Sequence, residues 1–182
     1  MLSHYNLIKS LPIWDTPVDV SELHGGITNS NYLVNQNDRM YVVRMVEEQP
    51  LLGIDRRNEE LCMKMGYQCG VSPDVIYTGS GIMVTNFISG KVLKPKNVSD
   101  DQYLSLITEV LKIVHGSGHK LSGEVLYFSP FQVVRTYYHR AIELTANMPK
   151  GLSDAINEVE LLENEIGPFI PTLCHNDVLA AN

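Results

Sequence analysis

Cysteine, basic charge and long apolar runs are all scarce in this sequence. Only Cys62, Cys69 and Cys174 occur in 182 residues. An odd count without a CxxC pair argues against a disulfide framework or a zinc site. Cys62 and Cys69 fall two turns apart on one predicted helix, roughly 10 Å along its axis, which is too far for a disulfide. Such usage points to a reducing, cytoplasmic setting. Fourteen Lys and Arg face 21 Asp and Glu, for a net charge of -7 and a pI of about 5.3. That balance offers no electrostatic reason to expect nucleic acid or an anionic membrane as partner. A phosphate ligand is still compatible with it, because local backbone donors hold phosphate even in acidic proteins. No apolar stretch approaches the roughly 20 residues that span a bilayer. The opening MLSHYNLIKSLPIWDTP lacks a basic leader and a continuous apolar core, so no signal peptide is expected. Internal repeats and low-complexity tracts are absent as well.

What is present is ordinary globular material, with 44% hydrophobic and 19% charged residues, enough for one domain or two small lobes. A short helix is expected near Asn6 to Leu11, stopped by Pro12. Strands follow at Val18 to Leu23, Asn31 to Asn35 and Met40 to Val46. In MYVVRMV, alternation puts Tyr41, Val43 and Met45 on one face and Val42, Arg44 and Val46 on the other. Residues 54 to 69 read as a helix with Ile54, Leu61 and Met65 as its core stripe, ended by Gly70 and Pro73. Strands at Asp74 to Thr78 and Ile82 to Phe87 flank the turn GSG, which suits a hairpin. The order predicts an antiparallel sheet with one helix laid on it. From Ser99 the chain turns helical, with Ser99, Asp100 and Asp101 as an N-terminal signal. Further helices are expected near Pro130 to Ala146 and Leu152 to Ile166. The polar connector at 88 to 98 divides the chain into an N-terminal lobe, 1–90, and a helical part, 91–182.

Three groups of residues can carry chemistry. The final eight residues, HNDVLAAN, form H-x-D-x(4)-N with His175, Asp177 and Asn182, after a predicted short strand at Pro171 to Cys174. Phosphoryl transfer to an alcohol needs a carboxylate to orient the hydroxyl and accept its proton. It also needs an oxygen ligand for the magnesium that bridges the phosphates. The same letters also serve as turn formers around a packed histidine. The second group is LHGGITNSNYLV, where Gly25 and Gly26 permit close backbone approach and Thr28, Asn29 and Ser30 donate hydrogen bonds. It is neither G-x-G-x-x-G nor a Walker loop, and a plain hairpin turn accounts for it equally. The third is a pair. Arg44 sits mid-strand in an apolar run and needs a partner; Glu59 follows 15 residues later in the first turns of the helix. A structural salt bridge or a solvent-facing edge arginine fits those two residues too. Asp55 and Arg56 serve as caps or help to place Glu59.

The three groups occur in the order a kinase-like fold uses them. On GGITNSNYLV, YVVRM, GIDRRNEE, GVSPDVIY, GIMVTNFISG and LCHNDVLAAN the chain closely resembles the choline/ethanolamine kinase family, within the wider aminoglycoside phosphotransferase-like group. The resemblance runs from about residue 20 to the end. It implies an α+β, protein-kinase-like fold: an antiparallel sheet lobe with one helix, then the first part of a mainly helical lobe. By the same resemblance, segment 25–31, ending in Ser30 and Asn31, would cover the nucleotide phosphates. Arg44, in place of the lysine many kinases use, would contact phosphate and pair with Glu59. Residues 84–88, with Thr85, Asn86 and Phe87, would line the hinge beside adenine. Asp177 would be the catalytic base, His175 would support its loop, and Asn182 would bind magnesium. The implied cofactors are ATP and Mg2+.

The implied reaction is transfer of the γ-phosphoryl group of ATP to the hydroxyl of choline or ethanolamine. An aminoglycoside, thiamine or a sugar is the alternative acceptor, and a nucleotide-binding module without turnover is the rival of another class. Family members continue past this loop with a second metal-binding aspartate and much of the acceptor pocket. The resemblance therefore implies a C-terminally short chain without appreciable transfer activity of its own.

Overall fold

The computed structural model describes residues 3–23, 30–45, 55–117 and 123–179. These divide into two compact units: the first holds residues up to Gly123 and resumes at Thr172, and the second spans Glu124–Pro171.

The first unit is built on a five-stranded antiparallel sheet, preceded by helix α1 (His4–Lys9). Its strands are β1 (Asp19–Leu23), β2 (Ser30–Gln36), β3 (Arg39–Met45), β4 (Val75–Gly79) and β5 (Ile82–Asn86), in spatial order β1-β2-β3-β5-β4. Helix α2 (Arg56–Gln68) lies in sequence between β3 and β4. The β2–β3 and β4–β5 hairpins close through two-residue turns. Asn37 and Asp38 take φ of 49° and 65°, and Ser80 and Gly81 take 49° and 75°. Paired positive φ values give a turn whose twist matches that of the strands it joins, and Asn, Asp and Gly adopt them most readily.

Period-two alternation sorts the sheet into two faces. One carries the core: Tyr32, Val34, Val43, Met45, Ile82 and Val84 are buried together with Ile8, Leu11 and Val18 from the N-terminal segment. Trp14 packs at the edge of this cluster and donates from Nε1 to the carbonyl of Ile8 (2.7 Å). The N-terminal segment is thus the lid of the core. Gln36, buried within it, donates to the carbonyl of Thr16 (3.1 Å), so its amide is satisfied. The opposite face carries Asn31, Val42, Arg44, Met83 and Thr85, and α2 is joined to it.

Helix α2 has a well-made start and stop. Asp55 accepts from the backbone N–H groups of Arg57 (2.8 Å) and Asn58 (3.0 Å), the usual N-cap pattern. At the other end Val71 N–H reaches the Gly66 carbonyl and Gly70 N–H the Tyr67 carbonyl, both at 2.9 Å. This double closure requires a left-handed residue, and Gly70 supplies it with φ of 75°.

A 3₁₀ stretch, Pro95–Ser99, precedes α3 (Asp101–Ser117). The side chain of Asp100, rather than that of Ser99, caps α3 by accepting from Gln102 N–H (3.0 Å); Ser99 is consumed in the 3₁₀ turn. The second unit is a helix pair, α4 (Pro130–Glu143) and α5 (Leu152–Ile166). It is joined by the Arg135–Glu163 ion pair (2.6 Å) and the stacking of Tyr127 on Phe169. Among the described residues no helix is long and apolar enough to cross a membrane.

Ile8 is fully buried. Ile8→Ala should therefore remove about 2–4 kcal/mol of stability, the range for a large-to-small change in a packed core. Urea unfolding measures it. A loss below about 1 kcal/mol would mean that α1 does not seal the sheet.

Candidate functional site

The strand registers place one row of side chains across the face that α2 joins. Leu23 stands opposite Asn31, Asn31 opposite Arg44, Arg44 opposite Met83, and Met83 opposite Thr78. Arg44 is at the centre of that row and its side chain is about three-quarters buried. A cation so placed needs a counter-charge. Glu59, in the first turn of α2, supplies it: Arg44 Nη2 is paired with Glu59 Oε1. The N-terminal turn of a helix is also where a carboxylate is favoured by the helix dipole. The second oxygen of Glu59 takes Arg56 Nη1 at 2.8 Å. Met83 Sδ lies 3.6 Å from Arg44 Nη2. Burial, and then the neighbouring charge of Arg56, lower the pKa of Arg44 from its ordinary value. The guanidinium still stays charged, because its pKa starts so high.

The adjacent residue ties α2 to a second strand. Glu60 accepts from Thr78 Oγ1 (2.7 Å) on β4 and pairs with Lys64 (2.5 Å). Glu59 therefore holds the helix to β3 and Glu60 holds it to β4. Both hydrogen bonds favour the ionised form of Glu60 and lower its pKa. The local trace of this second tie is the doubled glutamate at 59 and 60.

Ser30 and Asn31 open β2 and lie opposite Met45 and Arg44. The structure thus brings the last residues of the expected phosphate segment beside the arginine. Gly25, Gly26, Thr28 and Asn29 lie outside the described residues, as does Ile54 of the expected helix stripe. Thr85 is buried opposite Val42, on the same face as Arg44. Asn86 ends β5 and its N–H donates to the Asp74 carbonyl (3.1 Å); Phe87 N–H donates to the Met40 carbonyl (3.1 Å). These bonds fix the backbone where β5 leaves the sheet.

The stretch at Pro171 to Cys174, expected as a strand, carries no ladder. A strand exists only through its pairing, and Pro171 lacks an N–H to donate. The segment is held instead by Thr172 Oγ1, which donates to the His115 carbonyl near the end of α3 (2.7 Å). Beyond it Asn176 turns the chain with φ of 60°. Asp177 N–H then faces His175 Nδ1 (3.4 Å), and Leu179 N–H donates to the Asp177 carbonyl (3.1 Å). His175 is thus turned into its own loop, while both it and Asp177 are exposed. Asn182 lies outside the described residues. Among the described residues no group of three or more His, Cys, Asp or Glu side chains could hold a metal ion.

A family model described as choline/ethanolamine kinase matches residues 20–182. No curated protein matches with significance. Several solved structures share the fold. A choline/ethanolamine kinase family protein from Mesorhizobium loti is 23% identical with a TM-score of 0.75, and the match covers all of this chain and 60% of that one. An ethanolamine kinase from Plasmodium vivax is 20% identical with a TM-score of 0.73, covering 98% and 55%. The choline kinase LicA from Streptococcus pneumoniae is 23% identical with a TM-score of 0.67, covering 90% and 57%. The chain thus spans somewhat over half the length of these relatives. The likeness establishes the kinase-like fold, a five-stranded sheet lobe followed by helices.

The Glu60 tie has a pH signature. Its pKa is lowered in the folded state, so the stabilisation is complete above the unfolded value and is lost as pH falls through the folded one. Glu60→Gln should cost about 0.5–1.5 kcal/mol at neutral pH, the worth of a hydrogen bond at a part-buried site. The difference from the parent should vanish well below pH 4, where both side chains are neutral. Thermal melts at a series of pH values measure it, and a pH-independent difference would assign the effect to packing instead.

Proposed function

Because the chain belongs to the choline/ethanolamine kinase family, we propose that it carries the nucleotide site and catalytic loop of an ATP-dependent phosphotransferase acting on a small amino alcohol, choline or ethanolamine. The observation that carries the reading is the ion pair between Arg44 on β3 and Glu59 on α2. It holds a cation at the centre of an otherwise uncharged row of the sheet, beside the strand that opens with Ser30 and Asn31.

In this reading Arg44 faces the nucleotide phosphates, and Glu59 keeps its side chain from swinging away. Ser30 and Asn31, with the glycines before them, approach the phosphates from the β1–β2 side. Thr85, Asn86 and Phe87 border the base. Asp177 orients the acceptor hydroxyl and takes its proton, and His175 braces the turn that presents it. Magnesium bound to the phosphates would supply further charge neutralisation; its proposed ligand, Asn182, lies outside the described residues. Catalysis of this kind is mostly positioning and electrostatics, because the protein forms no covalent intermediate.

Two substitutions test the roles separately. Arg44→Ala should weaken ATP binding, measured by calorimetry with magnesium present, by about 10- to 100-fold, the loss of one charge-assisted contact. Unchanged affinity would remove Arg44 from the site. Asp177→Asn should leave ATP affinity within about twofold. In a chain extended to the length of the relatives it should cut turnover with choline or ethanolamine by about 10²–10⁴-fold, the contribution of a general base. Near-full turnover in that variant would overturn the assignment of HNDVLAAN.

A further inference from the structure

Glu59 does not meet Arg44 alone. Its carboxylate lies between two guanidinium groups, with Oε1 on Arg44 and Oε2 on Arg56 Nη1 at 2.8 Å. The two arginines reach it from different elements. Arg44 comes from mid-strand on β3, and Arg56 from the first residue of α2, one turn before Glu59. Arg56 is well anchored, because Asp55 caps the next two backbone N–H groups and fixes the first turn. Its side chain is 30% exposed, so it is neither a core group nor a free surface charge.

One consequence follows from elementary electrostatics. A carboxylate and one guanidinium tend to close into a neutral, two-pronged pair. With Arg56 on the second oxygen, Glu59 instead presents Oε1 to Arg44.

We propose that Arg56 is a positioning residue of the nucleotide site: by holding Oε2 of Glu59 it orients Oε1 toward Arg44. The inference rests on the nucleotide-binding reading above and adds a residue that acts through Arg44. It accounts for two basic residues converging on one carboxylate, where a purely structural tie between strand and helix needs only one.

The test uses the 182-residue chain, with ATP plus magnesium chloride as one probe and adenosine as the other, both by calorimetry. Arg56→Ala should lower ATP affinity by about 5–20-fold, somewhat less than direct loss of a charge-assisted contact. Adenosine affinity should stay unchanged, because adenosine carries no phosphate. Arg56→Lys, which keeps the charge and reaches Glu59, should recover most of the loss. In an Arg44→Ala background, Arg56→Ala should cost less than about twofold more, because residues acting as a unit are not additive. Equal loss for ATP and adenosine would show a merely structural role and overturn the inference. So would a full additional loss in the Arg44→Ala background, or no recovery with lysine in a variant whose melting temperature matches the parent. Failure of the parent chain to bind ATP would overturn the nucleotide reading itself. ATP binding that Arg56→Ala leaves intact would overturn this inference alone.

Discussion

A guanidinium about three-quarters buried in the middle of a sheet must be neutralised, and the first unit is organised around that requirement. Leaving such a cation without a partner costs several kcal/mol. The partner comes from the first turn of α2, so the pair fixes where that helix begins over the sheet. Glu60, one residue on, adds a hydrogen bond to Thr78 on β4. With consecutive residues tied to two strands, α2 has little freedom to slide along the sheet or rotate about its axis. An exposed ion pair contributes little because water screens it; here the largely buried setting and the Arg56 contact make the geometry specific.

The sheet divides its labour between faces because successive side chains point opposite ways. Tyr32, Val43 and Val84 belong to one face and pack with Ile8 and Leu11 into a dry cluster. Asn31, Arg44 and Met83 belong to the other. A shift of one residue in any central pairing would put Arg44 into the apolar cluster and a valine beside Glu59. Register is therefore enforced twice, by the hydrophobic face and by the ion pair. The helical elements behave differently. No residue of α3, α4 or α5 is buried, and Leu104, Leu161, Ile166 and Ile170 are exposed. Their stability comes from caps, helix hydrogen bonds and a few lateral contacts, of which Arg135–Glu163 is one.

Much of the first unit was legible in the sequence. The alternation in MYVVRMV separated Arg44 from Tyr41, Val43 and Met45, and the structure makes the face of Val43 and Met45 the core. The spacing from Arg44 to Glu59 suited a strand–helix pair, and that pair is present. Gly70 marked the end of α2 and takes the left-handed conformation that only such a residue adopts cheaply. Other features were legible only in part or not at all. Apolar character at Pro171 to Cys174 suggested a strand, but a strand depends on a partner that local sequence does not name. Ser99, Asp100 and Asp101 together signalled the start of α3, but only the preceding 3₁₀ turn decides that Asp100 is the cap.

Local chemistry thus determined which segments become strands and helices, where most of them end, and which side of β3 holds the charge. Periodicity and capping act over a few residues, and each leaves a direct trace in the sequence. Tertiary structure alone decided which strand residues flank Arg44. Asn31 from β2 and Met83 from β5 are 13 and 39 residues away in the chain and meet it through strand pairing. It also decided that one carboxylate serves two arginines while its neighbour is bound to Lys64 and Thr78. Glu59 and Glu60 are the same residue type at adjacent positions. Only the angle between them on a helix, set against a sheet of fixed register, separates their roles.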